Sequence, residues 1–283
     1  MGCEVANALP AARALYDQAN EILGYDLAKI CFEGPKDEIN ATEHCQPGLF
    51  VTSMASLEKL KADDPQAIDN CSVTAGLSLG EYSAMCFAGV MSFEQALGIV
   101  RLRGQAMQAA ADANPSTMVA ILGLSASQVE QLCDQARGEL VLQIANLLCP
   151  GNIVCSGDNA ACQKLAELAR VAGAMKVIPL TVAGAFHTSL MQSAVEKLTE
   201  ALQDVSMKAP RIPVVSNVDA MPHTDPEEMR KLLTRQVVSP VRWEDSIRAM
   251  LEQGVEQFYE VGAGNVLRGL MRRIDRKYQV TNV

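Results

Sequence analysis

Ser78 is the side chain best placed to do covalent chemistry, because it lies in Gly76-Leu77-Ser78-Leu79-Gly80 between a β-prone run and a helix. Gly-x-Ser-x-Gly in that setting forms a nucleophile elbow, a sharp turn that lifts the hydroxyl clear of the backbone. The two glycines are expected to leave room where strand and helix converge, since a Cβ at either flank would clash. The N–H groups that follow, at a helix start, face the oxyanion that develops during acyl transfer. An ordinary glycine-rich turn is the plainer alternative. A serine nucleophile also needs a base, and the chain offers only three His. His44 precedes a helix, and His223 sits in the polar loop Met221-Pro222-His223-Thr224-Asp225. His187, in Gly184-Ala185-Phe186-His187-Thr188, follows a strand and precedes a helix, the place where open α/β sheets present side chains to ligands. It is the expected base.

The bulk composition excludes several function classes. A net charge of −9 opposes nucleic-acid binding, which needs a basic stripe. An anionic substrate would have to be held by local cations against that field. The nine Cys are odd in number and contain no Cys-x-x-Cys, so reduced thiols in a reducing compartment are expected. No His, Cys and acid spacing suggests a metal, and no cofactor is expected. No apolar run reaches the roughly 18 residues of a membrane span. The first residues, Met1-Gly2-Cys3-Glu4, have neither the basic start nor the apolar stretch of a secretory signal.

The elements that must carry these residues alternate between helix and strand. Helices are predicted over 9–24, from Pro47 to about Leu60, over Glu81 to Ala88, and from Ser92 as a cap to Met107. A short strand, Cys71 to Thr74, leads into the elbow. Strand patterns over Met118–Leu124, Val141–Asn146, Asn152–Ser156 and Met175–Val182 are separated by two helices and a Pro150-Gly151 hairpin turn. That β-α-β-β-α-β order is ferredoxin-like. A helix over Leu190–Leu202, a strand at Val214–Ser216, a capping box at Asp225, a strand over Gln257–Val261 and a helix over Val266–Ile274 follow. The expected fold is α/β: a hydrolase-like core with a mainly parallel sheet from 1–115 and 184–283, plus an inserted ferredoxin-like subdomain over 116–183.

Several ordered segments together resemble a known family. These are Gly76-Leu77-Ser78-Leu79-Gly80-Glu81-Tyr82-Ser83-Ala84, Arg103-Gly104, Gly184-Ala185-Phe186-His187, Ser216-Asn217-Val218, Arg235-Gln236-Val237-Val238-Ser239-Pro240-Val241-Arg242-Trp243 and Glu260-Val261-Gly262-Ala263-Gly264. Across nearly the whole chain they resemble the malonyl-CoA:acyl carrier protein transacylases of fatty-acid synthesis. The resemblance implies that Ser78 takes the malonyl group from malonyl-CoA with His187 as base, then yields it to the phosphopantetheine thiol of the carrier protein. It implies that the backbone carbonyl at Gln236 orients His187 in place of a carboxylate. By the same resemblance Arg103 clamps the free carboxylate of malonate through paired charge-assisted bonds. Phe186 crowds a 2-methyl branch, and Asn146 lies near the substrate.

Two departures stand out. Leu77 replaces the His common in bacterial members, and the chain starts beyond the family's first strand and its Gly-Gln-Gly loop. The expectation is an oxyanion hole whose identifiable donor is the Leu79 N–H. A basic surface for the anionic carrier is expected from Arg268, Arg272, Arg273, Arg276 and Lys277, with Lys164, Arg170 and Lys176 in the insert. The chain is expected to act as a monomer, in the cytoplasm or in a plastid or mitochondrial matrix. The competing readings are a serine thioesterase or esterase on the same elbow, and a catalytically weak remnant kept as a binding partner.

Overall fold

A computed structural model describes residues 1–283. Before the elbow run α1 (Cys3–Ala8), α2 (Pro10–Leu23), α3 (Leu27–Glu33), α4 (Lys36–Asn40), α5 (Thr42–Asp63) and α6 (Pro65–Asp69), then β1 (Thr74–Ala75). Next come α7 (Gly80–Ala88) and α8 (Phe93–Ala113). The middle of the chain supplies β2 (Ser116–Leu122), α9 (Ala126–Arg137), β3 (Leu142–Cys149), β4 (Asn152–Asp158), α10 (Asn159–Val171) and β5 (Lys176–Pro179). After it follow α11 (Gln192–Gln203), β6 (Val214–Val215), β7 (Pro222–His223), α12 (Pro226–Gln236) and β8 (Val241–Arg242). The chain closes with α13 (Trp243–Glu252), β9 (Phe258–Glu260), α14 (Val266–Ile274) and β10 (Val280–Asn282). No helix is long and apolar enough to cross a membrane.

The helices start where the local chemistry favours it. Ser92 and Ser125 each close a reciprocal capping box, with Gln95 and Gln128. Asp225 caps α12 through Glu227 N, but the return bond of a box is missing because Glu228 turns to His223. Pro47 does not begin its helix: α5 starts at Thr42. Pro47 therefore lies inside the helix, past the first turn, where it removes one backbone bond, the one to the Glu43 carbonyl. The strand before the elbow is confined to Thr74–Ala75, and pairs parallel with Val214–Val215.

A helical layer supports the elbow from behind. One stripe of α2, formed by Ala12, Tyr16, Ala19 and Leu23, is buried. Tyr16 also shares a 2.8 Å hydrogen bond with Thr52 on α5. Alanines at 96, 106, 110 and 111 on α8 are buried and short, so neighbouring helices approach closely. That approach buries Arg103 on the same helix.

The middle segment has the strand order β5-β2-β4-β3, antiparallel throughout, which is the ferredoxin-like arrangement. Its sheet then takes a fifth strand from elsewhere: β8 pairs parallel with β3, Val241 opposite Asn146. Period-2 alternation splits β2 between two faces. Val119 and Ile121 lie in the core under α9 and α10, while Met118 and Ala120 lie in a second cluster that Phe186 packs against. The residue before His187 is therefore held by the subdomain. The parallel pairs β1–β6 and β9–β10 do not meet. A cavity of about 860 Å³ lies between them, lined by apolar side chains of β1, β9, α13 and α14. The whole is an α/β hydrolase-like fold carrying a ferredoxin-like subdomain.

Candidate active site

The elbow stands in the predicted place, and its two glycines have unequal roles. A Cβ on Gly76 would lie 1.9 Å from the backbone carbon of Gly80 and 2.5 Å from Glu81 N. A Cβ on Gly80 would meet nothing within 4 Å, so the expectation of a clash at both flanks is corrected. Strand and helix converge on residue 76, whereas residue 80 already sits on the open side of the first turn of α7. Gly76→Ala is therefore expected to lower the thermal midpoint by about 5 °C or more through overpacking. Gly80→Ala should leave the midpoint unchanged or raise it, given the roughly 1 kcal/mol helix preference of Ala over Gly. Equal losses in a thermal scan of the two variants would contradict this geometry.

Ser78 itself has φ 50°, a left-handed conformation that costs a non-glycine residue about 1–3 kcal/mol. Its backbone is tied on both sides. Ser78 N donates to Asn217 Oδ1 at 2.6 Å, and Ser78 O accepts from Gln236 Nε2 at 2.9 Å. The Leu79 N–H, by contrast, donates to no group in the fold and sits at the N-cap of α7. It is the free donor beside the hydroxyl.

His187, 109 residues further on, meets Ser78: its Nε2 lies 2.9 Å from Ser78 Oγ. Its Nδ1–H donates to the carbonyl of Gln236 at 2.8 Å, which leaves Nε2 free to accept the serine proton. The imidazole is thus oriented by a backbone carbonyl, with no carboxylate. His187 is also in the left-handed region, at φ 63°. Ser116 Oγ and Gln143 Nε2 from the subdomain hold its loop, through Ala185 N and the His187 carbonyl.

Burial, and then the nearby Arg103 cation, pull the His187 imidazole from 6.5 down to about 4. The imidazole is therefore neutral near pH 7. An NMR titration of the resting protein should find the His187 imidazole half-protonated near pH 4; half-titration near 6.5 would contradict the packing described. Between those values the unfolded chain binds more protons at this residue, so its contribution to stability falls as pH drops from 6.5 toward 4. Glu81 acts in the opposite sense between 4.5 and about 7, where its folded form holds the extra proton.

Arg103 enters from α8 and is 1% exposed. Its Nη2 donates to Ser78 Oγ at 2.9 Å and to Gln236 Oε1 at 3.1 Å, while Nη1 donates to Gln46 Oε1 at 2.6 Å. The guanidinium carbon stands 5.4 Å from the Tyr82 ring centre, and its Nε has no partner. Every direct acceptor is neutral. The nearest buried acid, Glu81, is separated from it by the Gln236 amide, so a direct anionic partner can still be added by an incoming group.

Two predicted residues lie further out. Phe186 is half-buried and packs against both the main core and the subdomain. Asn146 is buried on β3 where it meets β8, and no hydrogen bond joins its side chain to Ser78, His187 or Arg103. Gln143, on the same strand, makes the contact to the His187 loop instead. The basic residues of α14, like Lys164, Arg170 and Lys176, are exposed.

Sequence reasoning missed Gln46, Asn217, Glu81 and Gln143 as contributors. Asn217 and Glu81 stood inside recognised motifs, directly after a strand and directly after the elbow, and that position was their available signal. Gln46 only preceded a proline, and Gln143 had no signal at all.

Comparison with known proteins shows the family. Residues 1–279 match the acyl transferase domain family. The chain is 42% identical to the malonyl CoA-acyl carrier protein transacylase of Bacillus subtilis, across 100% of its own length and 88% of that protein. It is 40% identical to the mitochondrial malonyl-CoA-acyl carrier protein transacylase of Homo sapiens, across 93% of this chain and 70% of the relative. The acyl-carrier-protein-S-malonyltransferase structure from Bartonella henselae superposes with a TM-score of 0.96 at 37% identity, covering 100% of this chain and 90% of that one. A malonyl-transacylase solved in complex with a type II PKS acyl-carrier protein superposes at 0.95 with 35% identity, covering 100% and 91%. A serine, a neutral histidine and a buried arginine bonded only to neutral acceptors thus converge in a chain that belongs to the acyl transferase domain family, among the malonyl CoA-acyl carrier protein transacylases.

Proposed function

We propose that this chain transfers the malonyl group of malonyl-CoA to the phosphopantetheine thiol of an acyl carrier protein in fatty-acid biosynthesis, through a malonyl ester on Ser78. The observation that carries the reading is the sharing of one hydroxyl: Ser78 Oγ lies 2.9 Å from both His187 Nε2 and Arg103 Nη2. A base and a carboxylate clamp therefore meet at the nucleophile.

The Ser78 proton passes to His187 Nε2 as Oγ bonds to the thioester carbonyl carbon. The Leu79 N–H stabilises the resulting oxyanion, since Ser78 N is engaged by Asn217. The C–S bond breaks, and CoA leaves with the proton from His187. The carrier thiol then gives its proton to His187 and attacks the ester carbonyl, and Ser78 departs and recovers that proton. The Gln236 carbonyl keeps the imidazole turned for each transfer. Arg103 holds the malonyl carboxylate, and the ring of Phe186 limits branching at the 2-carbon.

In this reading residues 116–183 are a subdomain set into a catalytic domain formed by 1–115 and 184–283. The relatives include bacterial and mitochondrial proteins, so we place the chain in a bacterial cytoplasm or an organelle matrix, where its nine free cysteines stay reduced. The test is intact mass after incubation with malonyl-CoA, followed by addition of carrier protein. A malonyl adduct that moves to the carrier supports the transferase. Release of free malonate without a carrier would support the esterase alternative.

A further inference from the structure

The mechanism above leaves Glu81 without a task, although it is a fully buried acid one helical turn from the nucleophile. We propose that Glu81 is a positioning residue whose acceptor-only carboxylate sets the orientation of the Gln236 amide and the Asn217 backbone, and through them the pose of Ser78. The inference rests on the transferase reading for its function, while its geometry stands independently.

One oxygen does the joining. Glu81 Oε2 accepts from Gln236 Nε2 at 2.7 Å and from Asn217 N at 3.1 Å. A primary amide can sit two ways, but an ionised carboxylate accepts only, so Gln236 must turn its nitrogen to Glu81. Its oxygen then faces Arg103 Nη2 at 3.1 Å, and its nitrogen also reaches Ser78 O at 2.9 Å. Inverting the amide would set oxygen against Glu81, oxygen against Ser78 O, and N–H against the guanidinium. Three contacts fail together.

Asn217 shows the same dependence. With its N–H on Glu81, its side chain grips the elbow at both sides: Oδ1 accepts from Ser78 N, and Nδ2 donates to Gly76 O at 2.8 Å. The strained φ of Ser78 is thus held by two side chains that hang on one carboxylate oxygen. The other oxygen, Oε1, has no hydrogen-bond partner, while the Ser216 hydroxyl stands near enough to the carboxyl to favour its charged form. Arg103 from α8 completes the chain as Glu81⁻, Gln236 amide, Arg103⁺, with the two charges bridged by a polarised amide.

The test measures single-turnover acylation of Ser78 by malonyl-CoA, and labelling of Ser78 by a phosphonyl fluoride, which needs no malonyl recognition. Glu81→Gln keeps the shape but can donate, which frees the Gln236 amide to invert. It should slow both reactions by about 10²-fold, the scale of a misplaced reacting group. In a Gln236→Met background, which retains the carbonyl on His187, the same change should add little. A full rate in Glu81→Gln, or losses that multiply in the double variant, overturns the proposal. Should the variant not fold, the unaltered protein supplies a second test, since protonation makes the carboxyl a donor. Burial raises its titration to about 7, opposed by Gln236, Asn217, Ser216 and the charge of Arg103, while His187 on the facing loop titrates near 4. Labelling should fall by one proton as pH drops through about 7; a flat rate from pH 8 to about 5 overturns the proposal. If malonyl-CoA leaves no adduct on the unaltered protein while the phosphonyl label follows this pattern, the transferase reading fails and the role of Glu81 stands.

Discussion

Ser78→Ala is expected to lose the malonyl adduct completely and to lower transfer by about 10⁶-fold, the cost of deleting a nucleophile from a cooperating set. The adduct should vanish because no other hydroxyl shares this placement, between a base at 2.9 Å and a guanidinium at 2.9 Å. The remaining activity would come from substrate binding and the Leu79 N–H alone. Alanine keeps the Cβ and the backbone bonds to Asn217 and Gln236, so the fold should survive. Intact mass spectrometry with a parallel thermal scan reads both. An adduct that persists in the alanine variant would remove Ser78 from the chemistry.

Arg103→Ala is expected to lower the malonyl-to-acetyl preference by roughly 10²–10³-fold. The physical basis is that Arg103 is buried among neutral acceptors, so an acyl group without charge leaves the cation unpaired, whereas malonate pairs it. Breaking a buried pair by removing one partner costs about 3–5 kcal/mol, because the other charge stays buried. In the variant it is malonate that suffers this penalty. Absolute rates will fall for both substrates, since Nη2 also donates to the nucleophile. The ratio is therefore the informative quantity, measured as competing kcat/KM values for malonyl-CoA and acetyl-CoA. An unchanged ratio would mean that the malonyl carboxylate is held elsewhere.

Glu81 shows how differently its neighbours could be read. Its position just after the elbow was plain, yet nothing local says that it contacts residues 136 and 155 positions away. The same holds for Gln46, whose partner Arg103 lies 57 residues further along. The glycines show the reverse: the pattern treated Gly76 and Gly80 alike, and only the convergence of backbone on residue 76 separates them.

What the chain declares by itself is the chemistry that lives within a few residues. Gly-x-Ser-x-Gly between strand and helix, Ser92 and Ser125 at helix starts, and the turn at Pro150-Gly151 are short-range instructions, and each element forms where its own neighbours direct. Ser78 and His187 could be named because their residue types are diagnostic or rare in those local settings, whereas Arg103 was named only through the family resemblance. The tertiary structure alone decided how the site is held together. Asn217 and Gln236 reach Ser78 across 139 and 158 residues, because β6 pairs with β1 and α12 ends beside the elbow. Amide and carboxylate side chains are common, and which of them meet depends on how strands pair and helices pack, a property of the whole chain that no local pattern carries.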